Sequence, residues 1–341
     1  MGINIEDFDY HLPKELIAQY PEKDRASSRL LVLNRMDRTI EHRRFTDITE
    51  YLHEGDVLVL NDSKVLPARL RAIKDTGGKV DILLVENTGN NTWVCLANNV
   101  TKGADEVRVY IGDIEADLKK GEDFWAIEFH YGGDSHDILE KYGKMPLPNY
   151  IKRKDNNGLI DFERYQTVYA ESSGSIAAPT AGFHFTKELL DSIRKIGVTI
   201  VKLTLHIGVG TFFLIKKQYI EEHTMHREYY HIGEDVKGYI KNARCEGRRI
   251  VACGTSAVRT LETVYSENGD TPSMGYTELF IYPGYRFKAV DALITNFHLP
   301  RSTPLLLVSA FAGKDQAMEC YREAMERSYR FYSYGDAMFI V

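Results

Sequence analysis

The chain begins with a polar arm that carries aromatics and then settles into alternating apolar and polar blocks. Residues 30–35 read Leu-Leu-Val-Leu-Asn-Arg, a short strand. A turn at Asp37 leads to a return strand over 39–45, and a short helix over about 46–53 stops at Gly55. Residues 57–62, Val-Leu-Val-Leu-Asn-Asp, form a buried strand, because an apolar run ends there in turn formers. From about 69 to 143 the texture changes. Short β-rich runs at 79–87, 92–99, 106–112, 114–120 and 124–131 follow one another, separated by Gly, Asn and Asp, as in a small closed β unit.

After the Pro-containing stretch 144–153, helical patterning resumes near Asp161, and 162–170 reads as a helix. Residues 175–179 form a short strand. Leu189, Ile193 and Ile196 then share one helix face, with Thr186 as N-cap and Gly197 beyond the end. A strand at 198–207, a helix at 234–246, a strand at 249–254 and a helix at 256–269 continue the alternation. An apolar helix at 305–312, a longer one at 316–330 and a strand at 337–341 follow. The alternation predicts a layered α/β core with a mainly parallel sheet. Because α/β elements flank the β unit, 69–150 is an inserted small β-barrel domain, and 1–68 with 151–341 form the core.

Composition narrows the class. The 341 residues are 43% hydrophobic and 27% charged with 26 Gly and 10 Pro, which excludes collagen-like and wholly disordered readings. A net charge of -6 argues against coating nucleic acid by bulk charge, though not against a local basic groove. The best apolar run, 305–312, is far short of the roughly 20 residues of a membrane span. The first residues carry no signal-peptide pattern, and Glu6 stands where a myristoylation motif needs Ser or Thr. Cys95, Cys245, Cys253 and Cys320 have neither metal nor redox spacing, so reduced thiols in a cytoplasmic protein are expected.

Ligands of open α/β sheets bind beyond the carboxyl ends of the strands. Three strand ends run into polar, Gly-rich turns: Thr180-Ala-Gly182-Phe-His184, His206-Ile-Gly208-Val-Gly210-Thr211, and Gly254-Thr255-Ser256. Glycine allows close backbone approach, and a helix N-terminus offers N–H groups to an anion. Position 213 is Phe, so no dinucleotide fingerprint is present, and no phosphate-binding G-x-x-x-x-G-K-[ST] run exists. His223 and His226 stand at a spacing that on a helix would share one face and could ligate a metal, though the H-E-x-x-H form is absent. Asp62 and Asn296, with Thr295 and His298, sit at two further buried strand ends. A metal-dependent hydrolase built on His223 and His226, and a non-enzymatic RNA-binding module, are the rival readings.

The blocks SIAAPTAGFHFT, LHIGVGTF, HTMHREYY, FIYPGYRFKAVDALITNFHLPRSTPLLLVSAFAG and RFYSYGDAMFIV, with FDYHLPKELIAQYPEKDRASSRLLVLNR and GDVLVLNDSKVLPARL, resemble the S-adenosylmethionine:tRNA ribosyltransferase-isomerases of queuosine biosynthesis. The likeness spans essentially the whole chain. It implies an α/β core with an inserted β-barrel. It also implies ribosyl transfer from S-adenosylmethionine, a co-substrate, to 7-aminomethyl-7-deazaguanine at the tRNA wobble position, giving epoxyqueuosine, adenine and methionine. No metal and no prosthetic group are expected, and a C-x-x-x-C-x-x-C cluster motif is absent. Such a reaction needs a base, an acid and donors for the methionine carboxylate. Candidates for the proton work are His184, His206, His226 and His298, with Glu228 and Asp62 as partners. Thr180, Gly182, Gly208, Gly210 and Thr211, with Asn296, are expected in the S-adenosylmethionine pocket, and Gly254, Thr255 and Arg259 suit an anionic group. Lys152, Arg153 and Lys154, beside Tyr150 and Tyr165, suit a splayed anticodon loop. Further basic clusters are Arg69, Arg71 and Lys74, and Arg244, Arg248 and Arg249. The expected protein is a monomer, bound to tRNA and to no membrane.

Overall fold

A computed structural model describes residues 2–153, 159–212, 214–266 and 271–341. Strands β1 (Arg29–Leu33), β2 (Ile40–Arg44) and β3 (Val57–Asn61) come first, then the short β4 (Ser63–Val65). Six strands follow: β5 (Arg69–Lys74), β6 (Lys79–Gly89), β7 (Thr92–Asn98), β8 (Glu106–Ile111), β9 (Ile114–Lys120) and β10 (Trp125–His130). Helices α1 (Ser135–Tyr142) and α2 (Leu159–Arg164) precede β11 (Ser172–Ser175), α3 (Lys187–Lys195), β12 (Thr199–Leu205) and β13 (Glu228–His231). Then come α4 (Glu234–Cys245), β14 (Ile250–Cys253), α5 (Thr255–Val264), β15 (Met274–Thr277) and β16 (Ala292–Asn296), followed by α6 (Thr303–Ala312), α7 (Lys314–Glu326) and β17 (Ala337–Ile340).

Nine strands make one sheet in the order β15-β13-β12-β3-β14-β16-β17-β1-β2. Its centre, β12-β3-β14-β16, is parallel. Antiparallel partners flank it, and β17 runs antiparallel to β16 and parallel to β1. Every residue of β3 is buried, as expected of a central strand covered on both faces. Val57 and Val59 join one core with Leu203, Ala252 and Leu293 under α4 to α7. Leu58 and Leu60 join another with Val251 and Ile294 under α3 and the turn of Phe45 and Ile48. This is an α/β/α stack built from the period of two in each strand.

Strands β5 to β10 close into an antiparallel barrel. Its interior is filled by alternate residues such as Leu70, Ile82, Trp93, Val109, Leu118 and Ile127, and α1 seals one end with Ile138 and Leu139. The same apolar cluster takes in Ile176 and Val209 from the α/β part, so the barrel is packed onto the turns beyond β11 and β12.

Several local expectations change. Helix α1 lies where only β texture was expected; Asp134 caps it through the His136 N–H. The helix over 162–170 ends at Arg164, because Gln166 turns its amide onto the backbone of Val65, accepting at 3.0 Å and donating at 2.8 Å. The strand expected at 175–179 lies earlier, at β11, where the Ser-rich segment pairs with β4. The helix at 46–53 is a 3-10 turn, Phe45–Glu50. The edge strand β15 and its neighbour β13 are short strands that the apolar pattern did not reveal.

Candidate active site

The carboxyl ends of β12, β14 and β16 surround a cavity of about 460 Å³, within the range of small-molecule sites. Thr180, Leu205, Ile207, Gly210, Gly254 and Thr255 line it on the side of those turns. Helices α5 and α6 both begin at its wall, contributing Thr255, Ser256, Ser302 and Thr303; α5 has no side-chain cap, whereas Ser302 Oγ caps α6 by accepting from the Leu305 N–H, and Pro304 brings no N–H. Gly254 has φ +90, which favours glycine at the entry to α5. Beneath, Asn61 at the end of β3 fixes the geometry. Its amide donates to the Leu205 carbonyl and to Ser256 Oγ, each at 3.0 Å, and accepts from the N–H groups of Ser63 and Leu205.

The charged centre of the wall is Glu228 with Arg259. The side chains are 4% and 10% exposed, and Glu228 Oε2 is ion-paired with Arg259 Nη1. Glu228 Oε1 accepts from the Gly208 N–H at 2.7 Å, while Arg259 Nε donates to the Leu279 carbonyl at 3.0 Å. Arg259, expected to meet an anionic ligand group, therefore meets a carboxylate of the chain itself. His226 is exposed at the cavity rim, with its ring 6.2 Å from that of Phe124 between β9 and β10. His298 lies deeper. Its Nε2 shares a 2.8 Å hydrogen bond with Thr295 Oγ1, and burial pushes its pKa down to about 3, so the ring is neutral.

Of the expected residues, His226, Glu228, His298, Thr180, Gly210, Gly254, Thr255, Arg259 and Asn296 come together around this cavity. His184 does not line it. It bonds Ser28 Oγ through Nδ1 at 2.7 Å, and burial lowers its pKa to about 3. His206 stacks on Tyr229 at 5.7 Å outside the cavity, because alternation along the chain turns Leu205 and Ile207 inward and His206 away. Asp62 accepts from Thr204 Oγ1 at 2.7 Å, also away from the cavity. Gly182 is packed under Tyr169, whose hydroxyl lies 2.1 Å from where a Cβ would stand. Gly208 acts through its N–H on Glu228, and Thr211 lies in the 3-10 turn Val209–Phe212.

His223 and His226 are not on a helix: His223 follows the turn Ile220–Glu222 with extended backbone, and its ring packs 5.2 Å from Phe280. Among the described residues no three His, Cys, Asp or Glu side chains gather as metal ligands. Lys152 is exposed, and Lys154 lies outside the described residues. Arg153 is bidentate to buried Asp161, at 2.9 and 2.6 Å. Arg249 pairs with Asp56, Arg248 with Tyr239, and Arg244 with the Lys288 carbonyl. Arg69 donates to the Leu147 carbonyl at 3.2 Å, Arg71 lies 3.6 Å from Asp81, and Lys74 donates to the Asn99 carbonyl at 3.0 Å.

Pattern reasoning did not single out Tyr150, Tyr165, Phe280 and Ser333 as cavity residues; they come from irregular segments. Tyr150 Oη and Ser333 Oγ share a 2.6 Å hydrogen bond. The Pro-containing run before Tyr150 was the available signal for a fixed loop.

The comparisons with known proteins agree with one another. The family described as "Queuosine biosynthesis protein" matches residues 5–340. A protein of Caldanaerobacter subterraneus subsp. tengcongensis named S-adenosylmethionine:tRNA ribosyltransferase-isomerase is 50% identical, over 98% of this chain and 99% of its own. The crystal structure of an S-adenosylmethionine tRNA ribosyltransferase from Thermotoga maritima is 42% identical, with a TM-score of 0.57, over 98% of this chain and 100% of that one.

Proposed function

The chain belongs to the queuosine biosynthesis protein family, and from that premise we propose that it transfers and isomerises the ribosyl part of S-adenosylmethionine onto 7-aminomethyl-7-deazaguanine at the tRNA wobble position. Epoxyqueuosine, adenine and methionine are the products. One observation carries this reading: sequence blocks far apart in the chain converge on a single cavity that holds a buried carboxylate and two imidazoles.

The sulfonium makes the 5′ protons of the ribose acidic. A base removes one; the ylide electrons form a C4′–C5′ double bond as the bond from C4′ to the ring oxygen breaks, and that oxygen becomes a carbonyl on C1′ as adenine leaves and takes a proton. The amine of the RNA base then attacks the opened sugar, and ring closure expels methionine as its neutral thioether. His226 suits the proton-accepting role: it stands at the rim, between solvent and cavity, where an incoming nucleobase must pass. Glu228, fixed by Gly208 and Arg259, holds negative charge beside a cationic donor. His298, kept neutral by burial, serves as a hydrogen-bonding group rather than a base. The N-terminal end of α5, which has no side-chain cap, suits the methionine carboxylate. Lys152 is exposed two residues from cavity-lining Tyr150, within reach of RNA phosphates.

The test is incubation of the purified protein with S-adenosylmethionine and a tRNA bearing the aminomethyl base. Free adenine should appear, and a labelled methyl group should leave with methionine. Label moving to the RNA would identify a methyltransferase instead and end this reading.

A further inference from the structure

The second face of the β13–β15 edge has no part in the cavity, yet its composition is unusual for a solvated surface. Alternation sends Glu228 inward and leaves Tyr229 and His231 on the opposite face. In register across the strand pair, Tyr229 faces Tyr276 and His231 faces Met274. Tyr276 and Met274 are 54% and 53% exposed, although both are large. His206 stacks on Tyr229, their rings 22° from parallel, and Tyr229 meets Tyr276 edge-on at 5.7 Å. The guanidinium of Arg227 stands 4.8 Å over the Tyr276 ring. Its acidic neighbour, Glu86 on the barrel strand β6, is 4.0 Å away, and both partners are largely exposed, so that pair holds Arg227 weakly.

A cross-strand tyrosine pair stabilises a sheet edge by itself. That does not account for a cation, an exposed imidazole and a thioether on the same open face. Exposed aromatic rings on a strand surface with an adjacent guanidinium form a platform on which unpaired bases stack, while the cation meets phosphate. The platform is also continuous with the site: Met225, His226 and Glu228 line the cavity, and Arg227 lies between them in the chain. Residues 226 and 227 contact the barrel at Phe124 and Glu86.

We propose that this face, centred on Tyr276, Tyr229 and Arg227, is the docking platform for the unpaired nucleotides that flank the target base of the RNA. The inference rests on the RNA partner of the proposed function and names the surface that grips it.

The experiment uses the full chain and a fluorescently labelled anticodon stem-loop RNA with ordinary guanine at the wobble position, followed by anisotropy. Tyr276→Ala should weaken RNA binding roughly 5- to 150-fold, the range for losing one base stack, and Tyr276→Phe should stay within about twofold of the parent. Arg227→Ala should reduce the slope of log affinity against log salt by about 1. S-adenosylmethionine binding should stay unchanged in all three. Unaltered RNA affinity in Tyr276→Ala overturns the proposal. So does a parallel loss of S-adenosylmethionine binding, or a dimer in the parent that Tyr276→Ala dissociates, since the face would then belong to the fold or to a second copy. Failure of the reaction reading looks different: the parent would bind this RNA through Tyr276 yet release no adenine from a correctly modified one.

Discussion

Replacing Glu228 by Gln tests how the cavity wall is held. The amide oxygen can still accept from the Gly208 N–H, so that 2.7 Å bond survives in kind. The charge facing Arg259 is lost, and an –NH₂ group replaces the oxygen that accepted from it. Arg259 keeps its bond to the Leu279 carbonyl but remains a cation with only 10% of its side chain exposed. Removing one partner of such a buried pair costs about 3–5 kcal/mol, most of it the penalty of the orphaned charge. Urea unfolding followed by far-ultraviolet circular dichroism measures that loss. Arg259→Met should cost a similar amount, and Glu228→Gln with Arg259→Met should cost clearly less than the sum, because no charge is then orphaned. Ligand binding supplies a second readout. Glu228→Gln leaves the wall one unit more positive, so it should weaken S-adenosylmethionine more than S-adenosylhomocysteine, the neutral thioether of the same shape. Additive costs in the double variant, single losses below about 1 kcal/mol, or equal weakening of both ligands would refute the reasoning.

Acid should destabilise the protein through the buried His184 and, less strongly, the half-buried His298. Burial lowers the pKa of His184, which is 3% exposed, to about 3, against about 6.5 in an unfolded chain, and that of half-buried His298 in the same direction. Below about pH 6.5 the unfolded state binds more protons, so stability is full above that pH and falls toward pH 3, by up to about 1.4 kcal/mol per pH unit for His184 and less for His298. Urea midpoints at pH 7 and pH 5 check this, and His184→Asn should flatten the slope. Gly182→Ala would set a methyl group 2.1 Å from the Tyr169 hydroxyl and should cost about 1–3 kcal/mol, read as a lowered melting temperature. Arg153→Ala strands the carboxylate of Asp161, which is 2% exposed, and should destabilise by about 3–5 kcal/mol in chemical denaturation, whereas Lys152→Ala should leave stability unchanged.

Much of the fold was legible because its strands are strongly patterned. The fully buried β3 and the barrel strands carry their period and their turn residues in plain view. Short strands such as β13 and β15 are not, since four residues with one buried face give almost no period to read. The site was legible where strand ends meet Gly-rich turns, at Thr180, Gly210, Gly254 and Thr255. It was misleading where a single residue's parity decides direction: His206 differs from Leu205 and Ile207 by one position and faces the other way. Residues brought in by irregular chain, Tyr150, Phe280 and Ser333, carry no periodic signal, because their placement comes from tertiary packing. The basic clusters read as surface charge, yet Arg153, Arg248 and Arg249 are engaged with neighbours that lie distant in sequence or in buried positions.

The place of β17 has a consequence for synthesis. Its residues 337–340 are the seam between β16 and the β1–β2 hairpin, pairing with one on each side. A nascent chain has made β1 more than three hundred residues before the strand that joins it to the sheet leaves the ribosome. Until then, β1 and β16 both expose open backbone edges, the kind that invite pairing with other chains. Fragments that stop upstream of residue 337 should therefore be aggregation-prone rather than forming a smaller folded core.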